Sequence, residues 1–321
     1  MASADQIKAL IKSHYTSDSE RFTTLALQVA AAEARKGHGT LAADIKQLVT
    51  KGKKLTNPLR ALSVNLPLSD LMQFSEPRHK LSELVANDDL KELLARIIHE
   101  FRQRAKLEKH GMSHRRKILL TGPPGTGKTM TAAAIAQELG LPFYVIYTDK
   151  IITKYMGETA AKLRQVFDFI SSNLGIYFFD EFDAIGAERS RDNDVGEIRR
   201  VLNSFLQFLE QDESASFVLA ATNHVSILDQ ALFRRFDDVL FYELPNRKEV
   251  IQLIGNRLAN FKIRFAPSTI PFNVYEGLSH AEITQACDDA IKASILNGDS
   301  LIIKDVLLRM LTARKRVYGI K

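Results

Sequence analysis

The apolar run Ile118-Leu119-Leu120 leads into Gly122-Pro123-Pro124-Gly125-Thr126-Gly127-Lys128-Thr129, a complete GxxxxGK[ST] spacing. No other stretch limits the possible folds as tightly. Glycines at these positions let successive backbone N–H groups turn inward as a nest for an anion, and the dipole of a following helix adds to the attraction. A strand must precede such a loop and a helix must follow it. The apolar run supplies the first; Met130–Leu139, rich in alanine and closed by Gly140, reads as the second. The spacing predicts a nucleoside triphosphate site in which Lys128 reaches the β- and γ-phosphates and the Thr129 hydroxyl ligates Mg²⁺.

A phosphate loop does not by itself separate kinases, GTPases, motors and remodelling ATPases, so the downstream acids matter. Ile176-Tyr177-Phe178-Phe179 has the composition of a buried parallel strand, and it ends at Asp180-Glu181. Asp180 is expected to hold Mg²⁺, and Glu181 to orient and polarise the water that attacks the γ-phosphate, which implies hydrolysis to ADP and phosphate. A further strand-like run, Phe217–Thr222, ends at Asn223, whose amide can hold that water or sense the γ-phosphate. Arg234-Arg235 shortly precede another strand-like run. A lone arginine pair is as readily a solvated face or a salt-bridge donor, but its place after the Asn223 strand favours guanidinium supplied to a neighbouring subunit's nucleotide.

In this order and at these spacings, GPPGTGKT, FFDEFDAIG, AATN and LDQALFRRFDD resemble the AAA family within the AAA+ ATPases, the group that contains katanin, spastin, the ESCRT-disassembly ATPase and the proteasomal ATPases. The similarity runs from about Leu81 onward. It implies nucleotide contacts from Gly122, Pro123, Pro124, Gly125, Thr126, Gly127, Lys128, Thr129, Met130 and Asp180. Catalysis would fall to Glu181 and to Asn223 at the sensor position, with Arg234 and Arg235 as arginine fingers. Gly277–Ile283 looks like the family's G-x-S-G-A-D-I segment near the adenine, which adds Ala281. His280 stands there in place of the usual Gly, and Glu282 in place of Asp. At whole-chain level the sequence is also similar to stand-alone bacterial ATPases found alongside subtilisin-like serine proteases in plasmid-maintenance and phage-defence modules.

The fold expected is an α/β P-loop NTPase (AAA+) with a parallel sheet, a helical lid after it and a small helical domain before it. Residues 1–54 carry three helical patterns (Ile7, Leu10, Ile11; Phe22, Leu25, Val29, Ala32; Leu41, Ile45, Leu48, Val49), with Gly37-His38-Gly39 breaking the second from the third. Residues 55–80, with Pro58, Pro67 and Pro77, read as a linker. Residues 81–244 alternate strand and helix patterns as the large ATPase domain. Residues 245–321 read as helices only, two of them opened by the capping boxes Asn246-x-x-Glu249 and Ser279-x-x-Glu282.

The 321 residues are 45% apolar and 26% charged, an ordinary soluble composition, and no run approaches a membrane span or an apolar signal core, so a cytoplasmic location and no membrane contact are expected. A net charge of +6 is too mild to be a nucleic-acid signature. The single cysteine, Cys287, excludes an internal disulfide and reads as inert filling. His99-Glu100 is not followed by x-x-His, so the zinc-protease motif is missing and peptide cutting is not expected of this chain.

The resemblance places Lys154-Tyr155-Met156-Gly157 where related ATPases carry a central-pore loop. Tyr155 would then grip an extended polypeptide by its aromatic face, with Met156 adding an adaptable apolar contact. The charged stretch Ala187–Asp194 would face the same pore. These residues imply a nucleotide-dependent homo-oligomer, a hexameric ring, that uses ATP and Mg²⁺ to unfold or thread proteins, with a serine protease as a possible separate partner. A nucleotide-switched scaffold and a DNA-associated ATPase are the competing readings.

Overall fold

The computed structural model describes residues 19–35, 38, 41–47, 66–152, 156–182, 195–224, 230–298 and 301–317. Side chains of a few residues at element ends, Met156 and residues 195–200 among them, are outside the description. Two compact units are resolved, Met1–Arg60 and Ala61–Lys321.

In the first unit, helix α1 spans Ser19–Arg35 and buries Ala26, Val29 and Ala30. Residues 41–47 are also helical. Ile7, Leu10, Ile11, Leu48 and Val49 of the expected three-helix pattern lie outside the described residues.

The second unit is built on a six-stranded sheet of order β1-β3-β4-β5-β2-β6, with β1 Met72–Ser75, β2 Lys117–Thr121, β3 Phe143–Ile146, β4 Ile176–Phe179, β5 Phe217–Thr222 and β6 Asp238–Phe241. All neighbours pair in parallel except β1, which runs antiparallel to β3. The stretch 55–80, read from its prolines as a linker, therefore holds an edge strand and a short helix at Leu66–Ser69. Proline is tolerated beside an edge strand, and a four-residue strand of mixed polarity leaves too weak a pattern to be read.

Alternate residues of the central strands feed two separate cores, as a sheet covered on both faces requires. Helix α2 (Asp88–Arg102) and helix α3 (Lys128–Leu139) cover one face, where Ile118, Leu120, Phe178 and Leu219 pack with Leu94, Ile97, Ala132 and Ile135. Helix α4 (Met156–Ser172) and helix α5 (Val195–Gln211) cover the other, where Leu119, Tyr177, Phe179 and Val218 pack with Leu163, Val166, Phe167 and Phe205. The alanines of α3 let that helix lie close on the sheet.

Downstream, α6 (Arg247–Leu258), α7 (His280–Leu296) and α8 (Lys304–Val317) enclose a third core that contains Ile254, Ile283, Cys287 and Leu307. Both expected capping boxes form, at Asn246 and Ser279. Burial pushes the Cys287 thiol up to about 12, consistent with inert filling. The region is not helices only. A two-residue parallel pair joins β7 (Lys262–Ile263) to β8 (Leu301–Ile302), too short to leave a periodic signal.

Candidate functional site

Strand register brings the sequence-predicted residues together. Thr121 lies opposite Thr222 and Phe179 opposite Ala220, so the turn after β2, Asp180 after β4 and Asn223 after β5 emerge side by side at the carboxyl edge of the sheet. A cavity of about 960 Å³ opens there, lined by Pro124 to Met130, Asp180, Glu181 and Asn223 on one side and by Asn256, His280, Ala281 and Thr284 of the helical region on another. Its size suits a nucleotide.

The loop itself is shaped by close approach. Gly122 has φ +147°, and a Cβ there would lie 2.2 Å from the Tyr242 carbonyl oxygen. Tyr242 cannot easily retreat, because its N–H donates to the Thr121 carbonyl at 2.7 Å and its hydroxyl bonds Thr131 Oγ1 at 2.8 Å. Gly122→Ala is therefore expected to cost about 3 kcal/mol or more, measured as a lower midpoint in a urea melt. Gly125, at φ +74°, faces the lid: a Cβ would meet Ser279 Oγ at 2.6 Å, and its carbonyl accepts the Ala281 N–H at 2.9 Å. Thr126 Oγ1 closes the turn on the Pro123 carbonyl at 2.7 Å. Lys128 Nζ donates to the Gly122 and Pro123 carbonyls at 2.7 and 2.8 Å, which holds the ammonium inside the loop.

The Asp180 carboxylate is held from both sides. Thr129 Oγ1 donates to Asp180 Oδ2 at 3.1 Å, while Asp180 Oδ1 accepts the Glu181 N–H at 2.9 Å. A hydroxyl and a carboxylate converging in this way offer the oxygen donors that Mg²⁺ prefers, and the donor set fits that ion. Glu181 has φ +49°, the one positive value outside glycine among the described residues. Such a conformation is costly for a residue with a Cβ and is found where the surroundings impose it. Glu181 lines the cavity at this point.

Arg234 and Arg235 are not among the residues that line this cavity. They sit before β6, whose first residue pairs with Ile118, so they flank the opposite end of β2 from the phosphate loop. The strand between is about 16 Å long at the usual rise per residue. The turn is anchored by buried Leu232 and Phe236 and by Asp237, whose carboxylate accepts the N–H groups of both Arg116 and Lys117 at 2.9 Å. Both arginines are exposed, with Arg235 ion-paired to Glu210 at the end of α5. Tyr155 and Ala187–Asp194 lie outside the described residues; Met156 opens α4.

The chain matches the model of the ATPase family associated with various cellular activities (AAA) over residues 118–244. An uncharacterized AAA family ATPase of Sinorhizobium fredii is 34% identical over 301 residues, which cover 92% of this chain and 90% of that protein. This chain belongs to the AAA family of ATPases. The AAA ATPase is also 36% identical over 200 residues to a proteasome-activating nucleotidase of Sulfurisphaera tokodaii, covering 59% of this chain and 50% of that one. It is 34% identical over 193 residues to the ATP-dependent zinc metalloprotease FtsH of Lachnoclostridium phytofermentans, covering 57% and 33%. The chain thus spans nine-tenths of one relative and half or less of the other two. As an AAA ATPase it binds and hydrolyses ATP. No helix among the described residues is long and apolar enough to cross a membrane.

On the far wall of the cavity, sequence reasoning finds Ala281 and singles out His280 but misses Asn256 and Thr284. Burial pushes the pKa of His280 down to about 4, against a weaker opposite pull from the Val85 backbone. Val85 precedes Asn87, the N-cap of α2 that accepts the Leu90 N–H at 2.8 Å. The Asn-Asp-Asp start of α2 was the available signal for a fixed backbone at this point.

Proposed function

We propose that this AAA ATPase works as a nucleotide-dependent homo-oligomer, a hexameric ring, in which each active site is completed by a neighbouring copy. The separation of the two halves carries the reading. The phosphate loop, Asp180, Glu181 and Asn223 share one cavity, whereas Arg234 and Arg235 flank the other end of the sheet. An arginine pair so far from its own nucleotide site can act on charge only in another subunit's site.

Within one subunit, Gly122 to Met130 would cradle the phosphates, with Lys128 neutralising their charge. Thr129 and Asp180 would hold Mg²⁺, which screens the phosphate oxygens when bound. Glu181 would take the proton of the attacking water and Asn223 would fix that water's position. Ala281 would contact the nucleoside from the lid.

The work done with this energy is proposed to be the remodelling, unfolding or threading of protein substrates through the pore lined by Tyr155 and Met156. Two of the matched relatives are named for proteolytic machines, a proteasome-activating nucleotidase and a metalloprotease. Any cutting of peptide bonds is assigned to a separate protein, a serine protease in a bacterial defence or plasmid-maintenance module, and the location is proposed to be cytoplasmic. Tyr155→Ala should keep most ATP turnover and lose substrate unfolding, while Tyr155→Phe retains both, because grip depends on the aromatic face. Turnover measured beside a substrate-unfolding assay decides it. Full unfolding by the Ala protein would remove threading and leave a nucleotide-switched scaffold.

A further inference from the structure

The left-handed conformation of Glu181 is imposed from both of its neighbours. Downstream, Phe182 is fully buried and its ring lies 4.7 Å from that of Phe205 between centroids, so the chain has to return to the core directly after Glu181. Upstream, the peptide group that joins Asp180 to Glu181 is bonded at both of its polar ends. Its N–H donates to Asp180 Oδ1 at 2.9 Å, and its carbonyl accepts the Thr148 hydroxyl at 3.0 Å. The angle φ of Glu181 is the rotation between these two fixed parts, and it comes out at +49°.

Thr148 reaches that carbonyl from a rigid support. It is buried, and it opens the short helical turn Thr148–Ile151 that follows β3. The turn is anchored three times: the Tyr147 N–H donates to the Leu71 carbonyl at 2.9 Å, Lys162 Nζ donates to the Lys150 carbonyl at 2.8 Å, and Ile151 is buried in the core that also holds Phe182. A flip of the 180–181 peptide would relieve the positive φ and would break the bonds at both of its ends. Strain of this kind and a buried hydrogen bond are of similar size, so the Thr148 bond is large enough to decide between the two orientations.

We propose that Thr148 is a positioning residue for hydrolysis: by bonding the Asp180 carbonyl it keeps the 180–181 peptide, and through it Glu181, in the orientation that serves the attacking water. Thr148 is not among the residues that line the large cavity, so it acts through Glu181 and not on the nucleotide. Small displacements of a reacting group cost rate far more than they cost binding. The inference rests on the assignment of Glu181 as the group that activates water, and it adds to that the residue that fixes the backbone of Glu181.

Steady-state ATP turnover of the full chain, measured beside binding of a fluorescent ATP analogue, tests this with two variants. Thr148→Val keeps the shape and removes the hydroxyl; Thr148→Ser keeps the hydroxyl. The Val protein should lose about tenfold in kcat with nucleotide affinity within about twofold of wild type, and the Ser protein should recover most of the loss. On a Glu181→Gln background the Val substitution should cost less than about twofold more, because no base is left to misplace. Should the Val protein not fold, Thr148→Ala takes its place in the same comparison. Wild-type turnover without the hydroxyl overturns the proposal, as does an undiminished further loss on the Gln background. A fall in affinity that matches the fall in turnover, or a Ser protein no better than the Val protein, makes Thr148 merely structural and overturns it too. Near wild-type turnover in Glu181→Gln alone strikes the assignment of Glu181 instead.

Discussion

Glu181→Gln is expected to bind ATP as the wild-type chain does and to hydrolyse it about 10² to 10⁴ times more slowly, the usual worth of a positioned general base. The amide has the shape of the carboxylate and cannot accept the proton. Replacing Glu181 leaves untouched the Thr129 Oγ1 to Asp180 Oδ2 contact, because the backbone N–H of residue 181, not its side chain, bonds Asp180. Affinity for nucleotide and Mg²⁺ should therefore survive, which separates this variant from Lys128→Ala, where binding itself is lost. Binding of a fluorescent ATP analogue measured beside phosphate release checks both halves. Turnover near the wild-type rate in the Gln protein would end the assignment of Glu181.

Arg234→Ala and Arg235→Ala should each bind ATP normally, and at least one should lose about 10³-fold in turnover, since an arginine supplied from a neighbour stabilises charge that develops only in the transition state. The decisive arm is mixing. Lys128→Ala subunits lack the nucleotide half-site but carry intact arginines, and an arginine variant carries the reverse. Mixed assemblies should regain activity that neither protein has alone. No recovery in mixtures shown to contain both proteins would refute a shared site. The pairing of Arg235 with Glu210 adds an asymmetry, since an Arg235 that acts on a neighbour would first have to leave its partner on its own subunit.

The phosphate site was legible because the sequence encodes it locally. The phosphate loop, Asp180 and Asn223 each follow directly on a strand whose apolar composition announces it, and parallel pairing then brings the strand ends together without further information. The strand Met72–Ser75 was not legible, since its four residues are half polar and their pairing depends on a distant strand, Met72 lying opposite Ile146 and Ser75 opposite Phe143. His280 shows the limit from the other side. Its departure from the family pattern is visible in the sequence, but its burial against Val85 is a contact between distant segments, and no spacing rule reports it. The arginine pair falls between these cases: its residues could be read, but its distance from its own cavity needed the register of β6 on β2.

The contact of Gly125 with Ser279 and Ala281 makes the lid a lever with its fulcrum on the phosphate loop. Ser279 Oγ leaves no room for a side chain at residue 125, and the Ala281 N–H holds that residue's carbonyl. A rotation of α7 must either break this joint or carry the loop with it. As long as the joint holds, the shape of the loop and the angle of α7 change together, as a single mechanical variable.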